Sequence, residues 1–193
     1  DPVAARGLAD KMVDEAHRAA RTIDDLLELS RTELGGTAAV YVVAVDAVVA
    51  DAVARASAAA EHHSIGVSVR SQGDPQLVGS HRQLVSAVAN LLENAVKYSD
   101  KGSEVVVDSH LVDGWIEISV TDTGVGIPAR DIDRIFERFY RVDRARSRDT
   151  GGTGLGLSIV RHVATNHSGE VSVQSREGEG SVFTIRVPAA DRS

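Results

Sequence analysis

The stretch Asp149-Thr-Gly-Gly-Thr-Gly-Leu-Gly-Leu-Ser-Ile-Val160 places four glycines directly before an apolar run that is typical of a helix. Glycine adopts backbone angles that other residues resist, and it lets a ligand approach the main chain closely. A glycine-rich turn that opens a helix presents unpaired amide groups to an anion, and the helix dipole adds to the attraction. The stretch therefore predicts a phosphate-binding turn. The alternative is a tight turn without a ligand, and only the remaining motifs decide between the two.

Length, composition and charge limit the classes of protein to consider. The chain has 193 residues and 42% hydrophobic residues, which suits one domain with a proper core and an appendage. Its 21 basic and 28 acidic residues give a net charge of −7, which argues against general nucleic-acid binding. It has no cysteine, so disulfides, thiol catalysis and cysteine-ligated zinc are excluded.

Membrane and targeting signals are not visible in the sequence. No apolar run approaches the roughly 20 residues that a membrane-spanning helix requires, and no signal peptide is recognisable. The chain begins with Asp1 rather than Met. We therefore expect it to be part of a longer protein, in which a membrane anchor could lie upstream.

The first part of the chain, residues 3–34, is predicted to form one long helix. Small and apolar residues recur there at three- and four-residue steps: Leu8, Met12, Ala16, Ala19, Ile23, Leu26, Ser30 and Leu34. Such a stripe is a seam for another helix, so it predicts a partner helix or a dimer. Gly35-Gly36 ends the helix and divides the chain into residues 1–36 and residues 37–193.

The second part alternates helical and strand patterns. Strands are predicted over Val40–Val45, Ile65–Arg70, Glu104–His110, Trp115–Asp122, Glu170–Ser175 and Ser181–Val187, and helices over Asp46–Ala60, His81–Tyr98 and Thr153–His167. A turn at Asp113-Gly114 joins two of the strands, and a long polar connection runs from Thr123 to Gly152. This order favours an α+β two-layer sandwich.

One predicted helix carries a stripe of polar side chains. Asn90 and Asn94 are four residues apart and share a helical face, which Lys97 and Tyr98 continue. A carboxamide oxygen is a hard ligand for Mg²⁺, lysine supplies a charge for phosphate, and tyrosine offers a flat surface for a base. The stripe suits a nucleoside triphosphate. The alternative is an ordinary amphipathic helix with a polar outer face.

Two further segments extend this pattern. Asp122-Thr-Gly-Val-Gly-Ile-Pro128 follows an apolar strand, so its carboxylate could accept a hydrogen bond from an exocyclic amine while its glycines pack against a planar base. A plain strand-ending turn is the alternative. Phe136, Phe139 and Tyr140 are predicted to anchor a mobile, lid-like segment onto something apolar. That segment carries seven arginines: Arg130, Arg134, Arg138, Arg141, Arg144, Arg146 and Arg148.

Together these motifs resemble the catalytic, ATP-binding domain of sensor histidine kinases. Asn90–Tyr98 looks like the N box of that family, Asp122–Gly126 like its G1 box, Phe136–Tyr140 like its F box and Gly152–Gly156 like its G2 box. The order and spacing also match. The resemblance covers about residues 37–189, including a closing turn and last strand at Gly178-Glu-Gly-Ser-Val-Phe183. The first 34 residues look like the second helix of the dimerisation hairpin that precedes this domain.

The resemblance implies a Bergerat-type fold, in which a mixed sheet is covered on one face by helices and ATP lies between the helices and a lid. The nucleotide-binding residues that it implies are Asn90, Asn94, Lys97, Tyr98, Asp122, Gly124, Gly126, Ile127, Gly152, Thr153, Gly154, Leu155 and Gly156. By the same analogy Asn94 coordinates Mg²⁺, Asp122 binds the adenine amino group and Tyr98 packs on the adenine. The catalytic residues that it implies are Asn90, Lys97 and a lid arginine, for which we name Arg141.

The sequence departs from the family at the phosphoacceptor. That histidine lies on the first hairpin helix and is followed by an acidic residue. None of the chain's histidines has this context: His17, His62, His63, His81, His110, His162 and His167. We therefore expect the chain to bind ATP without efficient self-phosphorylation.

A second departure concerns ATP hydrolysis. Gyrase and the Hsp90 chaperones carry a glutamate base at the position of Asn90, so slow ATP hydrolysis is expected here. In the full-length protein the resemblance implies a homodimer, a response regulator as partner, and a cytoplasmic location below a bacterial membrane receptor. The alternatives are a serine kinase of the same fold and a regulatory module that only binds ATP.

Overall fold

The computed structural model describes residues 41–73, 75–142 and 152–190, together with Met12, Ile23 and Leu27. These three isolated residues are helical and their side chains are exposed. The rest of the predicted helix at 3–34, the boundary at Gly35-Gly36 and the lid arginines Arg144, Arg146 and Arg148 lie outside the described residues. No helix in the described ranges is long and apolar enough to cross a membrane.

The described ranges form two layers of secondary structure. In chain order the elements are β1 (Tyr41–Ala44), α1 (Val45–His63), β2 (Gly66–Ser71), β3 (Gln76–Gly79), α2 (His81–Tyr98), β4 (Glu104–Val112), β5 (Trp115–Asp122), a short 3₁₀ helix (Ala129–Asp131), α3 (Gly156–Asn166), β6 (Glu170–Arg176) and β7 (Gly180–Pro188). Each predicted strand and helix of this region is present, with shifted ends.

Three details of the predicted elements were wrong. Strand β3 was not predicted, because four residues are too few to show a period of two; it forms by pairing with β1 in an antiparallel ribbon. Val45 begins α1 instead of ending a strand. Helix α3 starts at Gly156 rather than at Thr153, so the glycines before Gly156 remain in a loop.

The main sheet is mixed and has the strand order β2-β4-β5-β7-β6. Strand β2 runs parallel to β4, and the other neighbours are antiparallel. Residues alternate between the two faces along each strand. In β5, Ile116, Ile118 and Val120 are buried, whereas Glu117 and Ser119 on the opposite face are half-exposed.

Helices α1, α2 and α3 cover the apolar face, and no helix of the ranges from 41 to 190 that the structure describes packs on the polar face. Helix α1 packs on β2 and β4, α2 on β4 and β5, and α3 on β6 and β7. This arrangement confirms the predicted fold, a mixed sheet with helices on one face. It also makes α2 the central helix, because α2 contacts both α1 and α3.

Helix α2 is fixed at its start and along its inner side. Ser80 is its N-cap, and the Ser80 hydroxyl accepts a hydrogen bond from the amide of Gln83 at 3.5 Å. Leu84, Leu91 and Leu92 are completely buried, and burial of each such side chain stabilises the fold by about 2 kcal/mol. The polar stripe of α2 is thereby turned away from the core, toward the loops that precede α3 and follow β5.

His167 ties the end of α3 to the start of α2. The Nδ1–H group donates to the carbonyl of Val163 at 2.8 Å, and Nε2 accepts from the amide of Ser80 at 3.0 Å. A Cβ at Gly79 would lie 2.4 Å from the His167 ring, so glycine lets the ring approach. These contacts help to position α3, and with it the glycine loop, relative to α2.

Candidate functional site

The glycine loop and α3 contact the polar stripe of α2. The Asn90 amide Nδ2 donates to the carbonyl of Ser86 at 3.0 Å, which orients the Asn90 carboxamide. A Cβ at Gly156 would lie only 2.7 Å from Asn90 Oδ1, and a Cβ at Gly152 would lie 2.5 Å from the Lys97 ammonium. Glycine at both positions therefore permits the loop to lie directly on the α2 stripe.

The loop that follows β5 contacts the C-terminal end of the same helix. The amide of Val125 donates to the Tyr98 carbonyl at 3.2 Å. A Cβ at Gly124 would lie 2.1 Å from that carbonyl oxygen, so only glycine fits there. The end of α2 and the start of this loop are consequently packed backbone to backbone.

These contacts place both glycine-rich loops against α2, and the space that the two loops and the helix border is the candidate cleft. Asn90 contacts the glycine loop and Tyr98 contacts the Asp122 loop. Asn94 lies on α2 between them, four residues or about 6 Å along the helix axis from both Asn90 and Tyr98. Arg141 lies close enough that its positive charge opposes the rise in the Tyr98 pKa that burial causes. The two glycine loops and the polar helix face, which are far apart in sequence, thus converge.

Asp122 is the buried acid of the cleft, with 6% of its surface exposed. Its Oδ1 accepts a hydrogen bond from the amide of Gly124 at 2.8 Å. Burial raises the pKa of Asp122 above its ordinary value, and the backbone hydrogen bonds from Gly124 and Ser181 oppose that rise. Burial wins because two amide dipoles do not replace the full hydration of a carboxylate.

The aromatic segment is pinned to the glycine loop. The amide of Phe139 donates to the Gly154 carbonyl at 2.9 Å, and Gly154 has a φ of +74°. Phe136 packs edge-on against Phe183 at 6.4 Å between ring centroids, and the Tyr140 hydroxyl donates to Asp131 at 2.6 Å. Phe136 and Tyr140 therefore anchor the segment as predicted.

Phe139 does not serve as an anchor, and that part of the prediction was wrong. Its side chain is 60% exposed and its φ is +62°, a strained value for a bulky residue. The backbone hydrogen bond to Gly154 holds this conformation and turns the ring away from the core.

The remaining predicted residues frame the same loops. Leu155 is fully buried at the start of α3, and its amide donates to the Thr153 hydroxyl at 3.2 Å. The amide of Ile127 donates to Ser175 Oγ at 2.9 Å. Gly126 has a φ of +64° and lies against the end of β6.

The polar groups of the cleft suit a magnesium ion that takes one oxygen from the protein and the others from a bound molecule or from water. In the described ranges no cluster of three or more histidine, cysteine, aspartate or glutamate side chains could hold a metal. The half-buried carboxamide of Asn94 makes no hydrogen bond to any residue that the structure describes, so its oxygen is available. One carboxamide oxygen suits Mg²⁺, which takes few protein ligands and retains water or phosphate oxygens.

A groove of about 400 Å³ lies at the ends of β5, β6 and β7. Thr121, Gln174 and Val182 line it from the open face of the sheet. Of the predicted site residues it includes Asp122 alone, so the groove borders the cleft beside α2 at that residue.

The fold and the cleft identify the class of protein. The chain belongs to the family of histidine kinase-, DNA gyrase B- and HSP90-like ATPases, whose model matches residues 79–191. The use of ATP by this family agrees with a site in which a glycine-rich loop and a loop that carries a buried acid lie against one helix.

Individual relatives are named sensor histidine kinases or sensor proteins. The chain is 46% identical over 189 residues to the sensor-like histidine kinase SenX3 of Mycolicibacterium smegmatis, covering 97% of this chain and 49% of the relative. It is 38% identical over 185 residues to the phosphate regulon sensor protein PhoR of Pseudomonas aeruginosa, covering 93% of this chain and 41% of the relative. The chain thus spans about half the length of these curated relatives or less.

Solved structures show the same fold. The mycobacterial sensor histidine kinase MprB superposes with a TM-score of 0.68 at 30% identity, over 78% of this chain and 97% of that chain. Full-length ShkA in complex with AMPPNP superposes with a TM-score of 0.76 at 26% identity, over 93% of this chain and 38% of that chain. These comparisons confirm the family that the sequence resembles.

Two residues that support the cleft from the neighbouring groove were missed in the sequence analysis. Ser181 supplies a backbone hydrogen bond to the Asp122 carboxylate, and the Ser175 hydroxyl holds the amide of Ile127. The first is explained by the pairing of Asp122 with Ser181 across β5 and β7, a register that the sequence alone does not give. No pattern in the sequence indicates the second.

Proposed function

We propose that residues 37–193 are the catalytic domain of a sensor histidine kinase, which binds ATP in the cleft beside α2 and transfers its γ-phosphoryl group to a histidine on a dimerisation helix. The convergence of both glycine loops on α2 carries this proposal, through the contacts of Gly156 with Asn90 and of Gly124 with Tyr98. A response-regulator aspartate is then the next acceptor. This relay belongs to the full-length protein.

The proposed binding mode assigns the two ends of the nucleotide to the two loops. Asp122 accepts a hydrogen bond from the adenine amino group, Gly126 and Ile127 line the base and Tyr98 packs against it. Backbone amides of the glycine loop, from Gly152 to Gly156, face the phosphates. Both glycine-rich loops lie on α2, which supports placing one ligand across them.

Lys97 and Arg141 are proposed to neutralise phosphate charge, and Asn94 is proposed to hold Mg²⁺. The ammonium of Lys97 already lies beside Gly152. When bound, Mg²⁺ would be held by the Asn94 carboxamide and would offset the charge of the phosphates. The Asn90 carboxamide, oriented by its hydrogen bond to Ser86, would help to position the phosphates or the metal through its Oδ1.

The proposed reaction needs no strong base. The neutral imidazole nitrogen attacks the γ-phosphorus, the bond to the β–γ bridging oxygen breaks, ADP leaves, and the ring loses a proton to solvent. Water is a poorer nucleophile and does require a base. The Asn90 carboxamide cannot accept a proton, and Oε1 of Glu93 lies 4.0 Å from Nε of Arg55 on α1. Hydrolysis of ATP is therefore expected to be slow.

We further propose that residues 1–36 form the second helix of the dimerisation hairpin. The exposed, helical Met12 and Ile23 belong to the predicted apolar seam, which supports this assignment. A homodimer through that seam, and a cytoplasmic position below a membrane receptor, follow for the full-length protein.

Transfer in trans tests the proposed function. The chain is incubated with γ-labelled ATP, Mg²⁺ and a separately produced dimerisation hairpin of a homologous sensor kinase. We expect acid-labile, alkali-stable label on the hairpin, no label when its phosphoacceptor histidine is replaced, and none on this chain alone. ATP binding without transfer would favour a regulatory module, and acid-stable label would favour a serine kinase.

Asp122→Asn is expected to stabilise the free protein while weakening ATP binding. Because burial raises the folded-state pKa, the Asp122 contribution to stability is fully present below the ordinary pKa of 3.8 and is lost as the pH rises through the folded-state pKa. The variant should therefore resist urea better at pH 7, with a gain that disappears below pH 3.8. ATP affinity should fall about 10- to 100-fold, because a charged hydrogen-bond acceptor is lost.

The matched control for that variant is Asp100→Asn, which changes an exposed carboxylate near the end of α2. Neither stability at pH 7 nor ATP affinity should change with it. A variant at Asp122 that is less stable than the parent at pH 7 would contradict the assignment of burial as the dominant effect.

A further inference from the structure

We propose that Ser175 is a positioning residue that holds the loop from Gly124 to Ile127 at the distance from Asp122 that base recognition requires. This inference rests on the proposed function. It assigns a role to a side chain on β6, an edge strand of the sheet, more than forty residues from the loop it would hold.

The donor and both acceptor positions of the Ser175 hydroxyl are used in hydrogen bonds. It accepts from the amide of Ile127 at 2.9 Å and donates to the carbonyl of Gly180 at 2.8 Å. Its remaining lone pair faces the hydroxyl of Ser181, which lies 2.9 Å away and can donate. A serine hydroxyl offers one donor and two acceptor positions, so these three contacts use all of them.

At its start the loop is held by the side chain of Asp122, which accepts from the amide of Gly124, and its middle is held by main-chain contacts. On the α2 side, the amide of Val125 donates to the Tyr98 carbonyl at 3.2 Å. On the opposite side, the amide of Gly178 donates to the Val125 carbonyl at 2.8 Å. The Ser175 contact differs from the two contacts of Val125 because a side chain makes it, and from the Asp122 contact because it lies at Ile127, beyond the tight turn at Gly126.

The Ser175 hydroxyl is also linked to the buried acid through Ser181. Ser181, whose hydroxyl contacts that of Ser175, provides a backbone hydrogen bond to the Asp122 carboxylate. Ser175 therefore connects the acceptor proposed for the adenine amino group with the backbone proposed to lie along the base. Loss of the hydroxyl should loosen this spacing and leave the phosphate-facing loop unchanged.

The test compares Ser175→Ala with Ser175→Thr, which keeps the hydroxyl, and with Ser172→Ala, an exposed serine of the same strand. Amide exchange is measured without nucleotide, and affinities for ATP and GTP are measured with Mg²⁺. In Ser175→Ala we expect about tenfold faster exchange at Ile127 and about 3- to 10-fold weaker ATP binding, the loss typical of one hydrogen bond. The ATP to GTP preference should shrink, and Ser175→Thr should restore it.

Unchanged exchange at Ile127, or equal losses of ATP and GTP affinity, would overturn the inference. If Ser175→Ala does not fold, Ser175→Cys retains a side chain of similar size with a weak acceptor, and the same comparison applies to it. A parent chain that fails to bind ATP overturns the proposed function instead. The exchange measurement needs no nucleotide, so the two failures can be told apart.

Discussion

Asn94→Ala is expected to make the ATP affinity independent of Mg²⁺ and to lower the rate of phosphoryl transfer by at least about 100-fold. Asn94 lies on α2 between the two loop contacts, and its carboxamide has no competing hydrogen bond among the described residues. The variant removes a neutral side chain from a half-exposed position, so the fold should persist. The measurement is a calorimetric titration with ATP, in Mg²⁺ and again in EDTA.

The comparison of the two titrations isolates the metal ligand from general damage. For the parent chain, EDTA should weaken ATP binding; for the variant, the two affinities should agree. Asn166→Ala, at the exposed end of α3, makes the same chemical change away from the cleft and should retain the Mg²⁺ dependence of the parent. A variant at Asn94 that still loses affinity in EDTA would assign the metal to other groups.

Patterned strands and the polar helix could be predicted from the sequence because their causes are local. Trp115–Asp122 alternates buried and half-exposed residues along its whole length, and Asp113-Gly114 supplies the two positive φ angles of a tight hairpin turn. Strand β3 could not be predicted, since its four residues acquire their conformation from pairing with β1. Tertiary pairing, rather than intrinsic preference, decides such short strands.

The candidate site shows the same division. The stripe of Asn90, Asn94 and Lys97 could be predicted because it follows the helical repeat on one element. The reasons for its glycines could not, because each one faces a distant segment: Gly156 faces Asn90 and Gly124 faces the carbonyl of Tyr98. A single sequence identifies the glycines as unusual, but it does not say which backbone they must admit.

Gly126→Ala is expected to separate the base-binding loop from β6. A Cβ at this position would lie 2.0 Å from the carbonyl oxygen of Arg176, and the φ of +64° is itself unfavourable for alanine. Left-handed strain costs about 1–2 kcal/mol and overpacking a further 1–3 kcal/mol, so the free energy of unfolding should fall by about 2–5 kcal/mol. ATP affinity should fall by more than about tenfold, because the loop that lines the base must move.

Gly178→Ala separates the two causes of that loss. Gly178 has a φ of +83° but no atom within 4 Å of the added Cβ, and its amide still donates to the Val125 carbonyl. It should therefore cost only the backbone strain of about 1–2 kcal/mol and leave ATP affinity nearly unchanged. Urea denaturation and ATP titration of both variants measure the difference. If the two variants lose equal stability and equal ATP affinity, the turn between β6 and β7 accommodates the added Cβ without cost. Close packing of Gly126 against Arg176 then does not define the base-binding side of the cleft.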